Sequence, residues 1–527
     1  MSDTDLSSLG TAPLDVATPA PHAAGLTSRV VRGSLWVLGG QGVAMLAALL
    51  ATPFVIRLLG AEQYGVLALS NVLFNYLAFA DMGMGVASTR FGADAHARKD
   101  DRSEILAIWT SLVIACVPAL LIALGLMFGA HVLVVRMLRL PSHLHGVAII
   151  AVRLIAIGFF ARAIAGVLNT PQLVRLRMDL VTFITTGTSV TQILSIPIVV
   201  LLGSGLVGAV AVIAGSSILA AILHASVSAR LLPGMLRPVV SRELFKPILK
   251  FGAAMVTSSL AAVLLAHGEK LLLTRYASVT ALAHYTVAYT LALMVTLAPG
   301  AMGQSLLPAF SQIQAQPERN ALRQLHRRAL CGTLLWIVPI SVLLGVAARP
   351  FFTLWAGPEF GRESTMPFYI LAIGLIFNAL SHVPYILLIA LDRTKVIARI
   401  HLAELVPYLL AAGLLTYRFG AVGAACAWTL RVTVDALAFF LAARRITGFS
   451  SSPLPDNKRG YVVALIVLLV PVMFVSWHWD AAFIRLAVAL VAIIAYSALI
   501  LSRVITSEER ASMLRLLPFG RWRNRLA

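Results

Sequence analysis

Long apolar runs separated by short polar breaks dominate the chain. Runs of spanning length recur at about residues 34–56, 63–88, 104–130, 147–168, 181–202, 207–229, 249–274, 280–302, 330–348, 367–391, 396–417, 421–443, 460–477 and 481–502. A helix needs about 20 apolar residues to cross the hydrocarbon core, and within lipid it satisfies its own backbone groups. The pattern therefore predicts an all-α polytopic membrane protein of about fourteen transmembrane helices. The breaks are tight at the first turn. There Arg57-Leu58-Leu59-Gly60 ends one run, and Glu62 sits where the next helix's N-terminal dipole favours a carboxylate.

Charge placement tests the count, because Lys and Arg accumulate in cytoplasmic loops. Loops on one side hold Arg90, Arg98, Lys99 and Arg102, then Arg175 and Arg177, then five basic residues from Arg230 to Lys250. The same side holds Arg319 to Arg328, Arg393, Lys395, Arg444, Arg445, Lys458, Arg459 and the arginines from Arg503 to Arg525. The other side holds Arg57, Arg136, Arg139, Arg275, Arg349, Arg362 and Arg418. One miscounted helix scrambles this alternation, so an even number of spans with both termini in the cytoplasm is expected. Residues 1–28 lack a signal peptide's charged-then-apolar order and read as a disordered cytoplasmic tail.

The spans repeat at an offset of about 218 residues. Gly33 matches Gly252, Arg57 matches Arg275, Tyr64 matches Tyr285, and Gly205-Leu206-Val207-Gly208-Ala209 matches Gly420-Ala421-Val422-Gly423-Ala424. Six spans per unit make the copies parallel about an axis along the membrane normal. The expected organisation is a tail at 1–28, a six-helix lobe at 29–230 and a second at 231–443. A Ser- and Pro-containing linker at 444–459 then leads to two appended helices at 460–502 and a basic tail at 503–527.

Composition agrees: 59% of residues are hydrophobic, 12% are charged and mean hydropathy is +0.89, which excludes an ordinary globular protein. The net charge of +20 would suggest nucleic acid in a soluble chain. Here its confinement to alternate loops makes it a topology signal, and no nucleic-acid partner is expected. Cys116, Cys331 and Cys426 lie within apolar runs without CxxC spacing, so neither a disulfide framework nor a metal site is expected. HExxH, P-loop and GxSxG motifs are also absent from the sequence, and the chain reads as a transporter rather than an enzyme.

Three stretches carry a family resemblance: Arg32-Gly33-Ser34-Leu35-Trp36; Arg57-Leu58-Leu59-Gly60-Ala61-Glu62-Gln63-Tyr64-Gly65; and Asp81-Met82-Gly83-Met84-Gly85. With the Arg57, Gly60, Tyr64, Gly65 turn as its centre, the chain resembles the polysaccharide-transport (oligosaccharide flippase) branch of the multidrug/oligosaccharidyl-lipid/polysaccharide exporter superfamily. The resemblance implies two lobes facing a central cavity that opens alternately to each side of the bacterial inner membrane. It also implies a polyprenyl diphosphate-linked oligosaccharide as substrate, and it brings in the glycan polymerase machinery as a partner. Rival readings are a lipid-linked peptidoglycan precursor flippase, a multidrug cation antiporter of the same superfamily, and a membrane-bound glycan polymerase or ligase.

Candidate chemistry lies in ionisable residues inside spans, each disfavoured by roughly 2.5–3.5 kcal/mol at a helix centre. Arg153, Lys270 and Arg431 are the expected cavity cations for an anionic substrate. Glu269, Glu404 and Asp435 are candidates for ion coupling or pairing. His267 and Lys270 share a helix face, as do His401 and Glu404, and the spacing of Arg431 and Asp435 predicts an ion pair. Arg57, Arg162, Arg275 and Arg399 lie near enough to an interface to snorkel. Asn71 and Asn75 are equally readable as interhelical contacts or substrate contacts. No cofactor is expected; coupling to Na+ or H+ and to the membrane potential is compatible with the charge pattern without being required by it.

Overall fold

The computed structural model describes residues 21–77, 83–295, 319–448 and 481–500, with scattered positions at 306–313 and 461–472 and at 502. Among the described residues the architecture is all-helical, without strands. The helices are α1 (Pro21–Tyr76), α2 (Met84–Ala97), α3 (Asp101–His131), α4 (His145–Leu168), α5 (Thr170–Val174), α6 (Met178–Val199) and α7 (Gly205–Leu231). They continue as α8 (Arg242–Tyr276), α9 (Val279–Met294), α10 (Arg319–Trp355), α11 (Pro358–Glu363), α12 (Thr365–Ala390), α13 (Thr394–Thr447) and α14 (Ala482–Leu499).

Several of these are longer than a membrane is thick. At 1.5 Å per residue, the 54 residues of α13 would reach about 80 Å, so the helix has to fold back to stay in a bilayer. It bends at Gly420, whose φ of 56° leaves the helical region. The equivalent bend between α6 and α7 falls at Gly203 and Gly205, and α1 bends at Gly60. Each bend divides one helical run into two spans, as the apolar pattern predicts.

The bends also show the repeat in backbone geometry. Left-handed φ values recur at matching points: Arg139 (53°) with Gly357 (112°), Leu176 (54°) with Asp392 (55°), and Gly205 (54°) with Gly420 (56°). The packing recurs as well. α4 lies against α3 and α7 and α1 against α6, while α12 lies against α10 and α13 and α13 against α8. Small buried residues such as Ala151 and Ala156 on α4 and Ala209 and Ala214 on α7 let helices approach where lipid supplies no hydrophobic drive between them.

Loop chemistry fixes the helix starts. Asp100 accepts from the Ser103 amide (2.9 Å) ahead of α3, Ser241 from Leu244 (3.3 Å) ahead of α8, and Ser278 from Ala281 (2.9 Å) ahead of α9. The Ser103 hydrogen bonds hold the Asp100 carboxyl below its ordinary range. A buried ion pair ties the loops together on the same side: Arg175 donates to both oxygens of fully buried Glu104, at 2.6 and 3.2 Å.

Three expectations are revised. Helix α1 is already formed at Pro21, the first described residue, inside the stretch read as a tail. The second span does not run unbroken to residue 88, because Gly83 is left-handed (φ 63°) and starts α2 as a separate helix. The expected linker also starts late: α13 continues through Thr447 and closes on left-handed Gly448. Residues 1–20, 449–459 and 503–527, and much of the expected helix at 460–477, lie outside the described residues.

Candidate functional site

Polar side chains collect at two places, one in each lobe. In the N-terminal lobe a cavity of about 520 Å³ opens between α1, α4, α6 and α7. Helix α6 faces it with Thr185, Thr188, Ser189 and Gln192, a stripe at i, i+3, i+4, i+7 that falls on one helix face. Ser216, Ser217 and His224 of α7, Asn71 and Asn75 of α1, and Asn169 after α4 add to the polar wall. Ser216 Oγ donates to Gln192 Oε1 at 2.6 Å, and Asn75 donates back to the Asn71 carbonyl at 2.9 Å. His224 Nδ1 lies 3.1 Å from Gln172 Oε1, which seats the imidazole against the cavity floor.

Among the described residues of this lining, Arg162 is the one cation and none is a carboxylate. Its guanidinium stacks over the Phe74 ring at 4.8 Å. Arg162 was expected to snorkel to the interface; it instead faces the cavity wall. A surface of amides and hydroxyls beside a guanidinium is suited to a hydrogen-bonding polyol bearing an anionic group, since arginine matches phosphate and carboxylate geometry.

The C-terminal lobe is built differently. Glu269 of α8 is fully buried and accepts from Tyr285 (3.1 Å) and Tyr408 (2.6 Å). Next to it, Lys270 Nζ lies 2.9 Å from His267 Nδ1 and 3.8 Å from the Tyr289 ring centroid. Across from these, α13 brings together His401, Glu404, Arg431 and Asp435. Arg431 Nη1 is 3.8 Å from Glu404 Oε1, and His401 Nε2 is 3.8 Å from Asp435 Oδ1. The donor atoms of His401, Glu404 and Asp435 lie within 4.8 Å of one another. Glu404, Tyr408 and Arg431 also line a cavity of about 340 Å³ between the two arms of α13.

This placement corrects the sequence reading twice. Arg431 pairs with Glu404, on the opposite arm of α13, rather than with Asp435 one turn away, because the Gly420 bend brings the arms together. Arg153 joins neither cluster. It is exposed on α4 and donates to the Met127 carbonyl of α3 at 3.3 Å. It stands nine positions from Arg162, which at 3.6 residues per turn is the opposite helix face. Arg162 reaches the N-lobe cavity, and the α6 threonine–serine–glutamine stripe is the sequence signal that could have located it.

The Arg57–Gly65 turn has a structural role at the lobe interface. Arg57 Nη2 donates to the Leu354 carbonyl of α10 at 2.7 Å, and the Trp355 indole donates to the Leu49 carbonyl at 2.9 Å. Gly60 supplies the bend. Tyr64 packs its ring against the core. A Cβ on Gly65 would stand 2.0 Å from the Val279 carbonyl oxygen, so α1 and α9 meet backbone to backbone here. The two lobes are closed at this end.

Comparisons with known proteins agree with this architecture. Residues 30–314 match the family model described as polysaccharide biosynthesis protein. A Shigella flexneri protein named "Putative O-antigen transporter" is 25% identical over 419 residues, covering 77% of this chain and 96% of that protein. Among solved structures, the lipid II flippase MurJ in an inward closed conformation aligns with a TM-score of 0.68 at 12% identity, over 89% of this chain and 98% of MurJ. An inward-facing multidrug resistance MATE family transporter of the MOP superfamily aligns with a TM-score of 0.66 at 15% identity, over 77% of this chain and 94% of that one. These two likenesses establish the transporter fold, and the family match, which spans more than half of the sequence, identifies the chain as a member of the polysaccharide biosynthesis protein family.

Proposed function

We propose that this protein is a flippase that moves a polyprenyl diphosphate-linked oligosaccharide from the inner to the outer leaflet of the bacterial inner membrane by alternating access, with both termini in the cytoplasm. It is a transporter, and no covalent step is required. The observation that carries the reading is the N-lobe cavity: its described lining sets hydroxyls and amides around the Arg162 guanidinium, a set that matches a glycan attached to a diphosphate. The name of the Shigella relative supports the same substrate class, an O-antigen, capsule or exopolysaccharide repeat unit.

In the proposed cycle, Gln192, Ser216 and Thr188 hydrogen-bond sugar hydroxyls, while Arg162, Lys270 and Arg431 balance the diphosphate. The prenyl chain stays in lipid. Outward movement of about two negative charges runs with an inside-negative potential, roughly 2.3 kcal/mol per charge per 100 mV. Closure of the Arg57–Gly65 turn against α9 and α10 seals the outer side while the substrate loads from inside, and the glycan polymerase machinery receives the product.

A peptidoglycan-precursor flippase shares the fold and the anionic cargo. A cation antiporter is favoured by one observation only, the carboxylates of the C-terminal lobe. Deleting the gene separates the three. Accumulation of unflipped lipid-linked oligosaccharide in the inner leaflet supports the proposal. Loss of peptidoglycan synthesis, or drug sensitivity with normal surface glycan, overturns it.

A further inference from the structure

Hydrogen bonds beneath the N-lobe cavity fix where the protons are. Ser228 Oγ donates to the Leu168 carbonyl at 2.7 Å, which spends the one proton a hydroxyl has. The side-chain nitrogen of Gln172 lies 3.1 Å from that oxygen and 3.2 Å from the His224 carbonyl oxygen, and it donates to both. Turned the other way, the Gln172 amide would set its own oxygen against a carbonyl and against a hydroxyl with no proton left to give. Neighbours of this kind decide an amide's orientation. Gln172 Oε1 is therefore the atom that faces His224 Nδ1 at 3.1 Å, and it can only accept. Gln172, His224 and Ser228 are all buried.

The consequence falls on the other ring nitrogen. Nδ1 carries the imidazole proton, so in the neutral ring Nε2 is a bare lone pair. His224 lines the cavity from the same face of α7 as Ser217 and Ala220, and its Nε2 has no partner among the described residues. The unpartnered Nε2 atoms of His284 and His326 are sealed inside the protein, whereas that of His224 keeps access to the cavity. The wall around it has the same bias. Thr185, Thr188 and Ser217 donate to carbonyls one turn back, at Val181, Ile184 and Ile213, over 2.8, 2.8 and 3.0 Å. Each is left with lone pairs for whatever enters.

We infer, resting on the flippase reading for the substrate, that His224 Nε2 accepts a hydrogen bond from a hydroxyl or amide N–H of the glycan and so determines specificity at the cavity floor. A free hydroxyl at that point donates to the lone pair. A carboxylate, or a hydroxyl capped by an acyl group, brings only acceptors. It leaves lone pair against lone pair in a buried place, which is disfavoured by more than the missing bond alone. Arg162, in the same lining, reads charge, while His224 reads a neutral donor. Gln172 and Ser228 are positioning residues, holding the tautomer without touching substrate.

The test uses the purified full chain in nanodiscs and two probes: undecaprenyl diphosphate without a glycan, and the lipid-linked oligosaccharide extracted from cells lacking the gene. In 15N-histidine-labelled protein the ring-nitrogen shifts show which atom carries the proton, and the H224N spectrum assigns the signal among the 12 histidines. Without ligand, His224 should be protonated on Nδ1 and bare on Nε2, and the Nε2 signal should move with the glycan-bearing probe alone. His224→Asn keeps an amide near the Nδ1 position and removes Nε2. It should weaken the glycan-bearing probe about fivefold, the size of one neutral hydrogen bond, and leave bare lipid unchanged. Gln172→Leu touches no substrate, yet it should let the proton move to Nε2 and weaken the same probe. A proton on Nε2 in the wild type overturns the inference. So does equal weakening of both probes in H224N, the result a merely structural histidine gives. Failure of the flippase reading shows up separately, as no lipid-linked oligosaccharide accumulating in cells lacking the gene.

Discussion

Gly65→Ala should hold open the end where α1 meets α9, the outer end in the proposed orientation. In the closed arrangement the added Cβ would lie 2.0 Å from the Val279 carbonyl oxygen and 2.6 Å from its carbon. Ordinary contact is about 3.5–4.0 Å, so the two backbones must part by about 1.5 Å at that point. Neither partner is a flexible side chain that can swing aside. Overpacking of this kind disfavours the packed state by about 1–3 kcal/mol, which multiplies the open-to-closed ratio by roughly 5 to 150 at 1.4 kcal/mol per tenfold. The separation also strains the Arg57–Leu354 hydrogen bond of 2.7 Å nearby. The assay is labelling of a cysteine at Asn71, inside the cavity, by an impermeant maleimide added outside, in a background without Cys116, Cys331 and Cys426. Gly125→Ala is the control, since a Cβ there meets nothing within 4 Å. If G65A labels no faster than the parent and the control, the closed outer gate is not built on this contact.

Arg162→Gln should lower transport about tenfold or more, the loss of one charge-assisted hydrogen bond of roughly 1.5–3 kcal/mol, whereas Arg153→Gln should transport normally; lipid-linked oligosaccharide in each leaflet is the readout, with expression checked. Lys270→Gln should resemble R162Q in the same assay, and reversal to Glu should be worse. Gln192→Leu, which removes the acceptor of Ser216, should reduce transport without displacing the protein from the membrane, because the defect lies in holding sugar hydroxyls. Glu104→Ala leaves Arg175 without its carboxylate among buried residues and should destabilise the protein by about 3–5 kcal/mol, seen as early thermal unfolding in detergent.

The span pattern was legible because it depends on length and apolar content alone, and bends at Gly60, Gly205 and Gly420 fell at turns the sequence already marked. The repeat was legible for the same reason: glycines with left-handed backbone recur where the chain has to reverse. Side-chain direction was less so. Arg153 and Arg162 are both arginines inside one apolar run, and only the packing of α4 on α3 decides that the first faces away from the cavity. Arg431 was assigned to Asp435 by i, i+4 spacing, which holds within a straight helix but ignores a partner brought in by the Gly420 bend. The neutral cavity wall was underread because threonine, serine and glutamine carry no large insertion penalty in a span. Their common face on α6 was the available clue. That Tyr285 and Tyr408 satisfy Glu269 from two other helices had no sequence signal, since the repeat marks Tyr285 only as the counterpart of Tyr64.

The most direct test of the central claim is reconstitution. Purified protein in liposomes carrying the lipid-linked oligosaccharide in both leaflets is given an impermeant glycan-modifying enzyme outside, and the fraction of substrate reached is followed in time. The account predicts that wild-type protein exposes nearly all of the substrate while R162Q exposes little beyond the starting half. A wild type that leaves the inner half protected, with the protein folded and inserted, contradicts it.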